Sequence, residues 1–82
     1  MKKLYYFTAP WCKNCEVITP SIQQAITRGI PVEIINIDYE LDRAKRANVS
    51  SIPTVIMADG DTEIKRFTGS RTLEQIIQFY NS

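Results

Sequence analysis

Two thiols carry the most chemical potential in this chain: Cys12 and Cys15, three positions apart in Trp11-Cys12-Lys13-Asn14-Cys15 and the only cysteines present. On the first turn of a helix, side chains at that spacing face each other and can be joined by one disulfide. Such a crosslink would add little stability, because a disulfide acts largely by restricting the unfolded chain and this loop is about as short as loops come. The pair therefore reads as reactive. Cys12 is expected at the N-cap or first helical position, where unpaired backbone N–H groups and the positive end of the helix dipole favour a thiolate. Lys13 adds a nearby, solvated cation of secondary effect. Cys15, one turn in, is expected to point toward the core and to hold its proton more tightly. This asymmetry suits thiol–disulfide exchange: an exposed thiolate attacks a substrate disulfide, and the second thiol resolves the mixed disulfide by displacing the substrate.

That chemistry needs no cofactor and no metal, and the rest of the composition agrees. There is no histidine, which removes Ser-His-Asp and Cys-His hydrolases, His-ligated haem and His-containing zinc or copper sites. Two cysteines cannot complete a closed zinc site or an iron–sulfur cluster within one chain without unusual oxygen ligands or a second subunit. No phosphate-cradling glycine motif occurs; Gly29, Gly60 and Gly69 stand singly at expected turns. Ten basic and nine acidic side chains leave a net charge of +1, so neither a nucleic acid nor an anionic membrane surface is an expected partner. The 82 residues are expected to form a single domain, residues 1–82, since chains of this size barely bury one core. Met1-Lys2-Lys3-Leu4 runs into strand-like sequence instead of a signal-peptide core. The chain reads as a cytoplasmic monomer.

The elements that must position the thiols follow from the apolar pattern. Lys3-Leu4-Tyr5-Tyr6-Phe7 is a continuous run fitting a strand buried on both faces. Cys15, Ile18, Ile22 and Ala25/Ile26 recur at helical spacing from about Lys13 to Arg28, where Gly29 and Pro31 stop the helix; Pro20 inside it predicts a kink. Val32 to Ile37 is a second strand closed by Asp38, and Glu40 to Ala47 a short helix. A third strand, Pro53 to Met57, opens on a proline. Asp59-Gly60 then predicts a hairpin into Thr62 to Phe67, whose Glu63, Lys65 and Arg66 suit a sheet edge. Thr72 and Gln75 form a capping box for a helix carrying Leu73, Ile76, Ile77 and Tyr80. The fold class is α/β in the order β-α-β-α-β-β-α: a mixed four-stranded sheet, its first two strands parallel, with helices on its faces.

Ala9-Pro10-Trp11-Cys12-Lys13-Asn14-Cys15 after an aromatic strand, Pro20, Asn36-Ile37-Asp38, Ile52-Pro53-Thr54, Asp59-Gly60 and Gly69 together resemble thioredoxin over nearly the whole chain. The resemblance implies a thioredoxin fold lacking the first strand and helix of full-length members. It implies a reductase of protein disulfides, with Cys12 attacking and Cys15 resolving, that is re-reduced by a thioredoxin-reductase-like or glutathione donor. Pro53 would be the family's cis-proline beside the disulfide, leaving the backbone of Ile52 free for a substrate strand; from sequence alone it could be an ordinary trans strand-opening proline, and without the C-x-x-C that would be the better reading. Trp11 and Gly69 match the substrate-docking rim, although Trp11 also fits a core position. Lys13-Asn14 replaces the family's common Gly-Pro, a position that tunes redox poise. Tyr6 occupies the place of a buried aspartate and Ile34 that of a lysine, which leaves water, the Tyr6 hydroxyl or Glu16 to take the proton of Cys15. Two other readings stand beside this one. A glutathione-using glutaredoxin is disfavoured by Trp11 and by the absence of Pro-Tyr between the cysteines. A thioredoxin-fold adaptor would have dispensable cysteines.

Overall fold

The computed structural model describes residues 1–82 as β1 (Lys2–Thr8), α1 (Lys13–Thr27), β2 (Val32–Asn36), α2 (Leu41–Arg46), β3 (Thr54–Asp59), β4 (Thr62–Thr68) and α3 (Leu73–Asn81). The order is the one the apolar pattern predicts. Within the sheet the strands lie β2-β1-β3-β4. β1 runs parallel to β2 and antiparallel to β3, which is antiparallel to β4. β1, the strand leading to the cysteines, is thus paired on both sides, while β2 and the charged β4 are edges.

Strand alternation divides the apolar residues between two faces. Leu4 and Tyr6 of β1 join Val55 and Met57 of β3 under α1 and α3, whose Ile18, Ile22, Ala25 and Ile76 complete the larger core. On the opposite face Phe7, Ile35 and Ile56 meet only Ala44 of α2 and flanking side chains such as Val49 and Ile52. This asymmetry corrects the expectation for β1. Tyr5 is only partly buried, because a six-residue helix is the cover on its side; Lys3 and Arg43 lie against its ring instead.

Helix α1 continues through Pro20, which supplies no N–H to the Glu16 carbonyl one turn back. Ile26, at the edge of the expected apolar stripe, is 40% exposed, whereas Ala25 is fully buried. The helix ends in a Schellman motif: Gly29 N–H donates to Ile26 O (3.0 Å) and Ile30 N–H to Ala25 O (3.1 Å). Gly29 takes φ +92° there, a conformation open to glycine at little cost. α2 ends the same way on Asn48, at φ 56°, with Val49 N–H donating to Ala44 O.

The third strand starts one residue later than expected, at Thr54. Pro53 precedes it through a cis peptide bond from Ile52. The hairpin loop is Gly60-Asp61, one residue beyond the expected pair, since Asp59 still pairs with Thr62. At α3 the capping box forms as expected: Gln75 N–H donates to Thr72 Oγ1 (3.2 Å) and Thr72 N–H to Gln75 Oε1 (2.9 Å). No helix is long and apolar enough to cross a membrane.

Candidate active site

β1 delivers the chain at Thr8 to a tight turn in which Cys12 N–H donates to Ala9 O (3.1 Å). Cys12 is the N-cap of α1. Capping is usually done by an oxygen; here Cys12 Sγ accepts the Cys15 N–H at 3.1 Å. The two cysteines are joined as a disulfide, their Cα atoms 5.2 Å apart. The helix opening thus holds both sulfurs and aims a backbone donor at the outer one, the arrangement that favours a thiolate once the bond is reduced.

The expectation of an exposed Cys12 needs correction. Cys12 retains only 6% of its surface and Cys15 2%. Ala9 packs with the two cysteines, and Ile37 and Ile52 close over the group, because the strand ends on both sides of β1 converge on the helix opening. A substrate disulfide must therefore meet a narrow window, and the rim around it decides access.

Trp11 stands on that rim. It is 64% exposed, which rejects the core alternative, and its Nε1–H is shared between the Asp38 oxygens at 3.1 and 3.2 Å. Asp38 is held in turn by the end of β2, where its N–H donates to Asn36 Oδ1 (2.9 Å). Sequence reasoning used Asp38 to end a strand and, within Asn36-Ile37-Asp38, as part of the family resemblance, and gave it no role at the site. The legible signal was the Asn-x-Asp spacing, whose first side chain readily caps the turn that presents the second.

Ile52, which packs on the cysteine group, is followed directly by Pro53. Pro53 is buried and Ile52 partly so, and the bond between them is cis, as the resemblance implied and the sequence alone left open. Neither the N–H nor the C=O of Ile52 has a backbone partner, whereas Pro53 O accepts from Gly69 N–H at 3.0 Å. Gly69, at φ +82°, thereby joins the end of β4 to this segment. Of the expected rim, Trp11 adjoins Cys12 in the chain and Ile52 packs on the cysteine group, while Pro53 follows Ile52 and Gly69 is tied to it by the hydrogen bond to Pro53 O; Lys13 and Asn14 are exposed on the first helical turn.

Tyr6 is fully buried, but its hydroxyl reaches the backbone beside the disulfide instead of the sulfurs. Tyr6 Oη lies 3.2 Å from Cys15 O and 2.9 Å from Thr19 Oγ1, and Thr19 Oγ1 donates to Cys15 O at 2.7 Å. With the Thr19 proton on the carbonyl, the Tyr6 proton is shared between Thr19 Oγ1 and that same carbonyl. Thr19 is a second residue that sequence reading missed. A threonine one turn after a helical cysteine carries no distinctive signal, since hydroxyl bonding to the i−4 carbonyl is common.

A helix-capping dithiol at the end of a strand, with Ile52 of a cis Ile52–Pro53 bond packed on it, is the site of a protein that exchanges disulfides. Residues 2–82 match the family model for thioredoxin, and the chain belongs to the thioredoxin family. It is 30% identical over 78 residues to the thioredoxin of Mycoplasma genitalium, covering 93% of this chain and 76% of that one. It is similar to the structure of thioredoxin 1 from Thermosipho africanus (30% identity, TM-score 0.79, 93% and 86% of the two chains). The malaria parasite thioredoxin-2 superposes with a TM-score of 0.91 at 20% identity, over 99% and 82% of the chains, a likeness of fold. With the Cys12–Cys15 disulfide, these relationships make the chain a thiol–disulfide oxidoreductase that reduces protein disulfides.

Proposed function

We propose that this protein reduces disulfides of protein substrates in the cytoplasm, acting as a monomer with Cys12 as nucleophile and Cys15 as resolving thiol. The observation that carries the division of labour is the Cys15 N–H pointing at Cys12 Sγ from the helix opening, which favours negative charge on the outer sulfur. Cys12 thiolate attacks one sulfur of the substrate disulfide, forming a mixed disulfide and releasing the other sulfur as a thiol after protonation. Cys15 thiolate then attacks Cys12 Sγ, the bond to the substrate breaks, and the second substrate sulfur leaves reduced. Two electrons pass to the substrate and the Cys12–Cys15 bond remains. A thioredoxin-reductase-like enzyme or glutathione restores the dithiol, which gives the protein a place in electron transport and cell redox homeostasis.

The unpaired peptide groups of Ile52 suit a substrate backbone added as an extra strand segment. In this reading Pro53 keeps that segment against the disulfide, while the exposed Trp11 ring and Gly69 form the flanks. Lys13 and Asn14 modulate the thiolate from outside. Tyr6 acts indirectly, by fixing the Cys15 carbonyl.

The test is reduction of insulin disulfides by the pure protein with dithiothreitol as donor. Wild type is expected to be active, Cys12→Ser inactive, and Cys15→Ser to accumulate protein joined to substrate through Cys12. A wild-type protein that cycles between dithiol and disulfide yet leaves insulin intact overturns the proposal. Turnover with thioredoxin reductase and NADPH, set against glutathione with its own reductase, identifies the donor.

A further inference from the structure

The resolving step poses a problem that the roles above leave open. Cys15 is 2% exposed and must lose a proton before it can attack Cys12, since the thiolate is the nucleophile. The phenol of Tyr6 is engaged with Thr19 and the Cys15 carbonyl, and taking up a further proton is not open to a neutral phenol at ordinary pH. A cleft of about 320 Å³ runs along the other flank of the disulfide. Pro10, Cys12, Cys15, Glu16, Thr19 and Ile34 are among its lining residues, and Glu16 supplies its only carboxylate. The apolar Ile34, 47% exposed on the edge strand β2, leaves the cleft open to solvent. At roughly 30 Å³ per molecule there is room for several waters between carboxylate and thiol.

We infer that Glu16 is the proton acceptor for Cys15, acting across this cleft through water, a reading that rests on the resolving role proposed for Cys15. The proton passes from Cys15 Sγ through water to the Glu16 carboxylate. Cys15 thiolate then forms its bond to Cys12 as the Cys12–substrate bond breaks, and the substrate sulfur leaves as the anion. No other ionisable group competes at the site. From β1, Tyr6 is engaged as described; from β2, Glu33 is paired with Lys3 and Arg43, and beyond its end Asp38 holds the Trp11 indole. Helix α3 contributes no residue to the lining. On α1 itself Lys13 is exposed, and as a cation it is no base.

The experiment isolates the step. Reduced protein is mixed in stopped flow with one equivalent of 5,5′-dithiobis(2-nitrobenzoate). Attack by Cys12 releases one coloured thiolate; resolution by Cys15 releases a second, and this leaving group needs no proton. In Glu16→Gln the second phase is expected to slow by about a hundredfold, the low end of what a positioned base supplies. Its rate is expected to become proportional to hydroxide between about pH 5 and pH 8, as for specific-base removal of a thiol proton. Added acetate is expected to restore it in proportion to concentration, a rescue that lost helix stability at Glu16 would not give. A second phase in Glu16→Gln as fast as wild type or faster, with the same pH profile and no response to acetate, overturns the inference while leaving Cys15 as resolving thiol. Absence of the second phase in wild type overturns the resolving role itself, and the inference with it.

Discussion

Replacing Tyr6 by Phe removes one hydroxyl and nothing else from the wall behind the disulfide. Thr19 Oγ1 and the Cys15 carbonyl each lose a partner, and buried groups so deprived cost about 1–3 kcal/mol. Thr19 still donates to that carbonyl, so we expect the lower half of the range, about 1–2 kcal/mol, read as a lower urea midpoint. Attack by Cys12 should stay within about twofold of wild type, because no hydrogen bond joins this hydroxyl to either sulfur. The sequence made Tyr6 conspicuous only as a departure from the family pattern. Where its hydroxyl goes was not legible, because that depends on Thr19 being carried one turn along α1 to meet the neighbouring strand. Cys12 and Cys15 were legible in type and placement, since N-capping and helical spacing are local. The cover over Cys12 was not, because Ile37 and Ile52 arrive from distant parts of the chain.

At the scale of elements, local rules carried the helix stops and caps. Gly29→Ala tests one of them. A methyl group added at Gly29 would meet no atom within 4 Å, so the penalty is purely that of φ +92°, about 1–2 kcal/mol in thermal or urea unfolding. The hairpin and the capping box were equally readable, because turn residues and a three-residue spacing suffice to define them. The opening of β3 was not: Pro53 is held by the Gly69 N–H from the far end of β4, a partner that its local sequence does not name. Between elements, Arg43 of α2 hydrogen-bonds Glu33 of β2, and Lys3 of β1 bonds it from the other side. Arg43 first and Lys3 second hold the Glu33 carboxyl below its ordinary value of 4.5. A lowered carboxylate contributes stability above its unfolded value and loses it as pH falls through the folded one. Glu33 is 35% exposed, so screening limits the contribution to about 1 kcal/mol or less. Glu33→Gln should therefore lower the urea midpoint slightly at about pH 7, and the difference from wild type should shrink as pH falls below the ordinary value of 4.5.

Across the whole molecule, the sheet separates ten core residues under α1 and α3 from four under α2. Side-chain periodicity announced that both faces are covered, but it could not say how unevenly, because the weak periodicity through Leu41, Ala44 and Ala47 marks a short helix without showing how much of the sheet it covers. The thin layer contains Ile52, which also packs on the cysteine group. Small apolar contact marks the regions that open first, at free energies well below that of global unfolding. Amides of Ala44 to Val49 should exchange with deuterium faster than those of Tyr6 or Ile18, as read by native-state hydrogen exchange. Ile52, shared by both groups, would be loosened whenever that layer opens. Warming the protein toward its melting point should accordingly blunt recognition of client chains while the far-ultraviolet dichroism is still native: the molecule would lose its grip on partners before it loses its shape.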